Sequence, residues 1–186
     1  GNGQLLVRRR GDRSPIRRVA IPGELTTANA MLLRFFPSIV DRTPVLFSEI
    51  AAAVERGAFD AGVLIHEGRF TYERHNLELV ADLGALWEQQ TGLPLPLGGI
   101  VASRELPAEV RRTFDRVLHD SIAYALEHPT VSRPFVREHA RELDDEVIDR
   151  HIALFVNRYS LALGEEGRRA VRGPKKAAYH FYYTTL

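Results

Sequence analysis

Residues 61–72, Ala-Gly-Val-Leu-Ile-His-Glu-Gly-Arg-Phe-Thr-Tyr, decide the fold class of this chain. The apolar run from Gly62 to Ile65 ends on the polar pair His66 and Glu67. A short apolar run bounded by turn residues is typical of a parallel strand that is covered on both faces. In open α/β sheets, ligands bind beyond the carboxyl ends of the strands, which is where His66 is expected to lie.

Strand and helix patterns alternate on both sides of this stretch, which predicts βαβ units, a mostly parallel sheet and an α/β fold. The predicted strands are residues 4–7, 18–21, 44–47, 59–65, 77–82 and 98–102. The predicted helices run from a cap at Thr26 or Thr27 to about Phe36, from a cap at Ser48 to about Arg56, and over residues 83–90.

From Pro107 onward the periodicity predicts helices alone, over residues 108–128, 133–141 and 144–159, the last capped by Asp144 or Asp145. The first of them carries an apolar stripe at helical spacing: Val110, Phe114, Val117, Leu118, Ile122 and Leu126. These helices have no strands of their own to cover. We therefore expect their apolar stripes to pack on the α/β part that precedes them in the chain, or on a sheet that this sequence does not contain.

Composition narrows the class of protein. The chain has 186 residues, 45% of them hydrophobic, and a net charge of +1, which gives no electrostatic argument for nucleic acid or membrane as a partner. The basic cluster at residues 8–10, with Arg13, Arg17 and Arg18, is interpreted as a solvated edge. No run of 18 apolar residues occurs, so the sequence predicts no transmembrane helix. The absence of cysteine fits a reducing compartment, and we expect a cytoplasmic protein.

His66 is the first candidate for chemistry. Histidine titrates close to neutral pH, so at the rim of a sheet it could serve as a general acid or base. The alternative is a structural histidine with its hydrogen bonds satisfied at the end of a strand. If the strand continues, adjacent residues point to opposite faces, so His66 and Glu67 are not expected to form a hydrogen-bonded pair. Glu67 is expected instead to tie down a loop backbone or cap the next turn.

The segment from Pro22 to Asn29 follows a strand and opens a helix. Backbone N–H groups at a helix start favour carboxylates and phosphates, and the hydroxyls of Thr26 and Thr27 add donors. There is no Gly-rich fingerprint of dinucleotide or P-loop binding. A plain helix cap is the alternative, and the pattern does not choose between the two.

Other polar and aromatic residues give weaker signals. Arg69, Phe70 and Tyr72 could form a wall over a planar ligand carboxylate, or could instead fold onto the surface of the domain. Trp87 lies at amphipathic spacing and is predicted to be core. The histidines show no HExxH spacing, and no Gly-x-Ser-x-Gly motif occurs, so neither a metal site nor a serine nucleophile is indicated.

The string Phe59–Tyr72 resembles the signature of the 1,4-dihydroxy-6-naphthoate synthase family of the futalosine branch of menaquinone biosynthesis. The resemblance extends through residues 80–84, 87–88, 91–98, 121–126, 145–148, 159–161 and 164–167. It covers nearly everything from Gly3 to about Val171. The block His-Glu-x-Arg-Phe-Thr-Tyr is specific, and it favours the synthases over the chorismate dehydratases that share their fold.

The resemblance implies a periplasmic-binding-protein-like fold of type II, in which two α/β lobes close over a cleft. It also implies a cofactor-free carbon–carbon cleavage of cyclic dehypoxanthine futalosine, a small aromatic carboxylate substrate. His66 matches the family's proton acceptor. Thr27 and Ala28, with Thr26 beside them, match its substrate-binding helix start.

Two departures from the family pattern shape the predicted domains. The opening half-lobe of the family is absent: the chain starts at Gly1, its single methionine is Met31, and we expect the natural N-terminus to be missing. The predicted parts are a crossover strand and linker (1–15), an α/β lobe with the catalytic motif (16–92), a return crossover strand (93–106) and the helical remainder of the first lobe (107–171). Residues 172–186, which contain Gly173-Pro174, are predicted to be a divergent tail.

Two further classes of protein stay open. A solute-binding protein shares the fold and would use the cleft without chemistry. A helical interaction module would instead bind another protein through the apolar stripes of residues 107–161.

Overall fold

The computed structural model of the chain describes residues 3–140 and 144–173. Within them the chain forms two compact units, one of residues 3–97 and 169–173, the other of residues 98–140 and 144–168. The first unit contains the strands β1 (Leu5–Arg9), β2 (Arg18–Ile21), β3 (Asp41–Pro44), β4 (Ala61–Leu64) and β5 (Leu77–Asp82). Its helices are α1 (Thr27–Phe35), α2 (Ile50–Glu55), α3 (Gly68–Thr71) and α4 (Leu83–Thr91), with 3₁₀ turns at Phe47–Glu49 and Tyr72–His75.

The five strands form one sheet in the order β3-β2-β4-β1-β5. β2 pairs in parallel with β3 and with β4, while β1 pairs antiparallel with both β4 and β5. Four strands therefore share one direction and β1 opposes them from inside the sheet. The prediction of a mostly parallel sheet is confirmed, with this one reversed strand.

Alternation along the strands gives the sheet two apolar faces. One face holds Leu6, Val19, Ile21 and Val63 and is covered by α1 and α4, including the buried Trp87. The other face holds Leu5, Val7, Ala20 and Leu64 and is covered by α2. Trp87 is 1% exposed, so its prediction as core is confirmed.

Local signals set the ends of the helices. Thr26 caps α1 and accepts a hydrogen bond from the Asn29 N–H, as one of the two predicted caps. Asp82 caps α4 through the Ala85 N–H (2.9 Å), and that helix ends at Gly92 with φ +65°. Glycine takes this left-handed conformation without a Cβ penalty, which explains the stop.

The second unit is helical. It contains α5 (Ala108–Glu127), α6 (Arg133–His139), α7 (Asp145–Phe155) and α8 (Arg158–Leu161). A further helix, α9 (Gly164–Arg172), has residues 164–168 in this unit and residues 169–172 in the first. Asp144 caps α7 by accepting from the Glu146 and Val147 N–H groups, as predicted. The helix predicted over 144–159 is interrupted before α8, where Asn157 begins a new capping box.

α5 buries none of its residues. Its exposed apolar side chains include Val110, Phe114, Val117, Tyr124 and Leu126. The predicted uncovered stripe is therefore present on this helix. A cavity of about 410 Å³ lies between its first half and residues 100–102.

Three element predictions are wrong. The strand predicted at 44–47 lies at Asp41–Pro44 instead, because β2 supplies its hydrogen bonds and the apolar residues that follow turn into a 3₁₀ helix. Ser48 is not a cap, since α2 continues directly from that turn with no side-chain cap. Residues 98–102 form no strand: Ile100 and Val101 are 66% and 65% exposed, and the five-stranded sheet does not include them.

The segment after His66, expected to be a loop, folds into α3 and a 3₁₀ turn. The predicted tail falls almost entirely outside the described residues, and α9 ends at Arg172 before Gly173 with φ +71°. Among the described helices, none combines the length and the apolar content that a bilayer crossing requires.

Candidate functional site

Three neighbouring parallel strands, β3, β2 and β4, bring the candidate residues to one edge of the sheet. The chain leaves β2 through α1 to reach β3, then returns through α2 on the opposite face to reach β4. This reversal makes a topological switch point between β2 and β4, where open α/β sheets leave a crevice. The start of α1 follows β2 and His66 follows β4, so the structure places both predicted parts of the site at this point.

The start of α1 is held by side chains of its own turn. The Thr26 Oγ1 donates to the Gly23 carbonyl (2.7 Å) and accepts from the Asn29 N–H (3.2 Å). The buried Asn29 amide also donates to the Glu24 carbonyl (2.8 Å). The loop before the helix is thereby fixed to its first turn.

This helix start favours an anion or a carbonyl oxygen. The first bond inside the helix runs from the Ala30 N–H to the Thr26 carbonyl, so helix geometry gives the Thr27 and Ala28 N–H groups no acceptor in a preceding turn. The first turn contains no acidic residue that would compete for the helix dipole. Thr27 is half-buried and Ala28 is buried, so the backbone rather than the Ala28 side chain is the binding element.

His66 lies two residues beyond β4 in a turn, with its side chain exposed. Its backbone has φ +52°, a left-handed conformation that is uncommon outside glycine. Such conformations cluster at functional sites, where the surrounding structure maintains them. The expectation that His66 and Glu67 project to opposite faces of a strand does not apply, because neither residue is in the strand. The Glu67 side chain makes no cap bond to α3.

Phe47 is a site residue that the sequence analysis missed. Its ring packs edge-on against the His66 ring, with centroids 5.3 Å apart and planes at 67°. It lies at the carboxyl end of β3, on the same edge as the start of α1. The signal was present in the sequence, since Phe47 follows a strand parallel to β4, but the predicted strand included Phe47 itself.

Two exposed leucines flank this edge. Leu25, in the loop after β2, is 71% exposed, and Leu46, after β3, is 56% exposed. Exposed apolar side chains beside a polar site are compatible with a surface that receives an apolar ligand group.

The sequence left two roles open for Arg69 and Tyr72, a wall for a ligand or packing on the domain. In the structure both side chains pack on the domain. The Arg69 guanidinium donates to the Gly3 carbonyl and lies 3.7 Å from the Asp82 carboxylate. Tyr72 packs against the core on the α2 side of the sheet. Burial and the neighbouring Glu73 raise the pKa of the Tyr72 phenol, which keeps it neutral. These side chains fold onto the domain instead of forming a wall for a ligand.

The basic cluster forms intramolecular contacts. Arg8 and Arg13 both reach Glu78 (3.2 and 2.7 Å), and Arg9 pairs with Asp12 (2.5 Å). The N–H of Gly11, together with Arg8 and Arg13, lowers the pKa of the Glu78 carboxyl, so it stays ionised at neutral pH. Within residues 3–140 and 144–173, no three His, Cys, Asp or Glu side chains are grouped as ligands for a metal ion.

Comparison with known proteins agrees on one family. The model of the menaquinone biosynthesis family matches residues 1–180, a range that extends into the predicted divergent tail. The chain is 48% identical over 154 residues to the 1,4-dihydroxy-6-naphthoate synthase of Thermus thermophilus, covering 83% of this chain and 56% of that protein. It is 43% identical over 180 residues to the Streptomyces coelicolor protein of the same name, covering 93% of this chain and 64% of that one. The chain thus spans 56–64% of the length of these curated relatives.

Solved structures show the fold. A protein from Archaeoglobus fulgidus matches with a TM-score of 0.81 and 36% identity, over 92% of this chain and 65% of that one. The ligand-binding component of an ABC-type import system from Staphylococcus aureus matches with a TM-score of 0.55 and 11% identity, over 81% of this chain and 55% of that one. An ABC transporter protein from Parabacteroides distasonis gives 0.54 and 19%, over 80% and 55%. The predicted periplasmic-binding-protein-like fold is confirmed.

Proposed function

The chain belongs to the menaquinone biosynthesis family, and on this basis we propose that it carries the catalytic lobe of a 1,4-dihydroxy-6-naphthoate synthase. In this proposal it is a cytoplasmic carbon–carbon lyase that converts cyclic dehypoxanthine futalosine into 1,4-dihydroxy-6-naphthoate. His66 is the proton acceptor, and Thr26, Thr27 and Ala28 bind the substrate.

The observation that supports the proposal is that His66 and the start of α1 follow the carboxyl ends of two neighbouring parallel strands, β4 and β2. A retro-aldol-like fragmentation needs a base that takes a proton and donors that stabilise the oxygen on which charge develops. The exposed imidazole meets the first requirement. The Thr27 and Ala28 N–H groups, in the field of the helix dipole, meet the second.

Each chemical role follows from the surroundings of the residue. In a retro-aldol-like step, His66 takes the proton of a substrate O–H group and the electron pair of that O–H bond forms a C=O bond. The adjacent carbon–carbon bond breaks, and its electron pair passes to the neighbouring carbonyl group as an enolate. A carboxylate or a developing oxyanion of the substrate lies against the helix start. The exposed Leu25 and Leu46 offer apolar surface to an aromatic ring at the same edge.

The test is turnover of cyclic dehypoxanthine futalosine by the purified chain, followed by the appearance of the naphthoate product. His66→Ala is expected to lower the rate about 10²–10⁴-fold while ligand still binds, because a positioned general base contributes about that much. His75→Ala is the matched control. That histidine pairs with Glu55 (3.0 Å) near the amino-terminal end of β5 and is expected to leave the rate unchanged.

Equal rates for wild type and His66→Ala would remove His66 from the mechanism. Ligand binding without product from the wild-type chain would favour a second function, that of a solute-binding protein. The similarity of fold to import-system components supports this alternative.

A further inference from the structure

We propose that Phe47 is a positioning residue for His66: its ring helps to fix the imidazole in the orientation from which it takes the substrate proton. This inference rests on the proposed function, because it concerns the same base. Phe47 follows a third strand, β3, and so adds a residue to the site formed by the start of α1 and the turn after β4.

The contact between the two rings is specific. The centroids are 5.3 Å apart and the planes meet at 67°. Aromatic rings prefer this edge-to-face arrangement at separations of about 4.5–7 Å, because the positive edge of one ring meets the negative face of the other. The contact therefore favours one setting of the imidazole plane over others.

The backbone is held in place on both sides of Phe47. Before it, the Val45 N–H donates to the Ile21 carbonyl (2.9 Å) and extends the pairing of β3 with β2. After it, the Glu49 N–H closes the 3₁₀ turn on the Leu46 carbonyl (2.8 Å), and the fully buried Ile50 begins α2. Phe47 is thus attached to the rigid sheet and to a packed helix.

His66 needs support of this kind. Its side chain is exposed and its residue lies in a turn, outside the hydrogen-bond ladder of β4. An exposed side chain would lose rotamer freedom on reaching the reactive geometry. A ring already held by an anchored neighbour avoids part of that loss and keeps the base close to the attacking geometry.

The experiment combines kinetics with NMR of the imidazole. Phe47→Leu is expected to lower kcat about tenfold with little change in KM, because orientation matters most in the transition state. Phe47→Tyr is expected to stay within about twofold of wild type, since a tyrosine ring can make the same contact. Phe59→Leu, the same substitution near the opposite end of β4, serves as the control and should leave kcat unchanged.

A double-mutant cycle separates positioning from a general effect on folding. In the His66→Ala background, Phe47→Leu should cause no further loss of rate, because residues that act as one unit are not additive. An equal loss in both backgrounds, or an unchanged kcat in Phe47→Leu, would overturn the proposal.

The NMR arm is independent of turnover. The His66 ring resonances should shift in Phe47→Leu and not in Phe59→Leu, because the Phe47 ring current is lost. Absence of turnover in the wild type would contradict the proposed function, and the ring resonances would then decide the positioning role. Unchanged His66 resonances in Phe47→Leu would overturn it.

Discussion

Gly62 and Ile50 approach so closely that a Cβ on Gly62 would lie 2.5 Å from the Ile50 Cγ2. The same Cβ would lie 2.9 Å from the Val54 Cγ2, so both contacts are with side chains of α2. The glycine therefore sets the distance between α2 and β4. Because the 3₁₀ turn with Phe47 leads directly into α2, this spacing also sets where Phe47 meets His66.

We expect Gly62→Ala to destabilise the first unit by about 1–3 kcal/mol, which is typical of an overpacked core. The measurement is urea unfolding. Gly98→Ala is the matched control, since its Cβ would meet nothing within 4 Å, and its unfolding should stay within about 0.5 kcal/mol of wild type. Equal midpoints for the two variants would show that α2 moves away at no cost.

The φ of +52° at His66 leads to a prediction about stability. His66→Gly should be more stable than His66→Ala by about 1 kcal/mol, because a Cβ is penalised in the left-handed region. Both variants lose the imidazole, so thermal unfolding compares backbone preference alone. Ala52→Gly in α2 should show the opposite sign, since glycine is unfavourable inside a helix. A less stable His66→Gly would mean that this turn takes another conformation in solution.

Asp60 is expected to make the stability of the first unit depend on pH. Burial raises the pKa of its carboxyl, but the N–H groups of Arg18 (2.8 Å) and Arg17 (2.9 Å) outweigh this and lower the pKa below 3.8. With a lowered pKa, the folded state binds fewer protons than the unfolded state. The stabilising contribution is therefore present above the unfolded pKa and is lost as pH falls through the folded one.

We accordingly expect the urea midpoint of the wild type to fall with acidity from about pH 4 downward, and to fall less in Asp60→Asn. Asp41→Asn, at the exposed start of β3, is the matched control for the loss of one carboxylate. Parallel pH profiles for wild type and Asp60→Asn would show that the two backbone bonds do not stabilise the carboxylate.

Thr26 connects helix stability to ligand binding. Thr26→Ala should cost about 1 kcal/mol by loss of the cap. It should also weaken substrate binding, since the turn that holds the Thr27 and Ala28 N–H groups loosens. Thr26→Ser keeps the hydroxyl and should retain both properties, as measured by thermal unfolding and titration calorimetry. Equal losses in the two variants would assign the effect to the methyl group.

Much of the first unit could be predicted from the sequence. β2 and β5 lie where their apolar runs and turn residues predicted them, because both are bounded by strong local signals. β3 was misplaced because Asp41–Pro44 carries no apolar pattern: an edge strand gets its order from the backbone of its neighbour. Residues 98–102 show the reverse case, an apolar run without a partner strand.

The candidate site likewise has one part that the sequence predicts and another that it does not. The start of α1 and the position of His66 follow from local signals, a turn before a helix and a polar residue after an apolar strand. The contact between Phe47 and His66 depends on strand order and on the depth of α2, which no local pattern encodes. That the Arg69 side chain faces Gly3 and not a ligand likewise depends on where β1 enters the sheet.

The interior position of β1 has a consequence for biosynthesis. Among the five strands of this sheet, Leu5–Arg9 is made first, yet both of its partners, β4 and β5, are made later, the second ending at Asp82. At ordinary translation speeds this apolar segment waits several seconds with its backbone unpaired. We expect chaperones to bind it during that interval, so that the first strand of this sheet to be made is among the last to be incorporated into it.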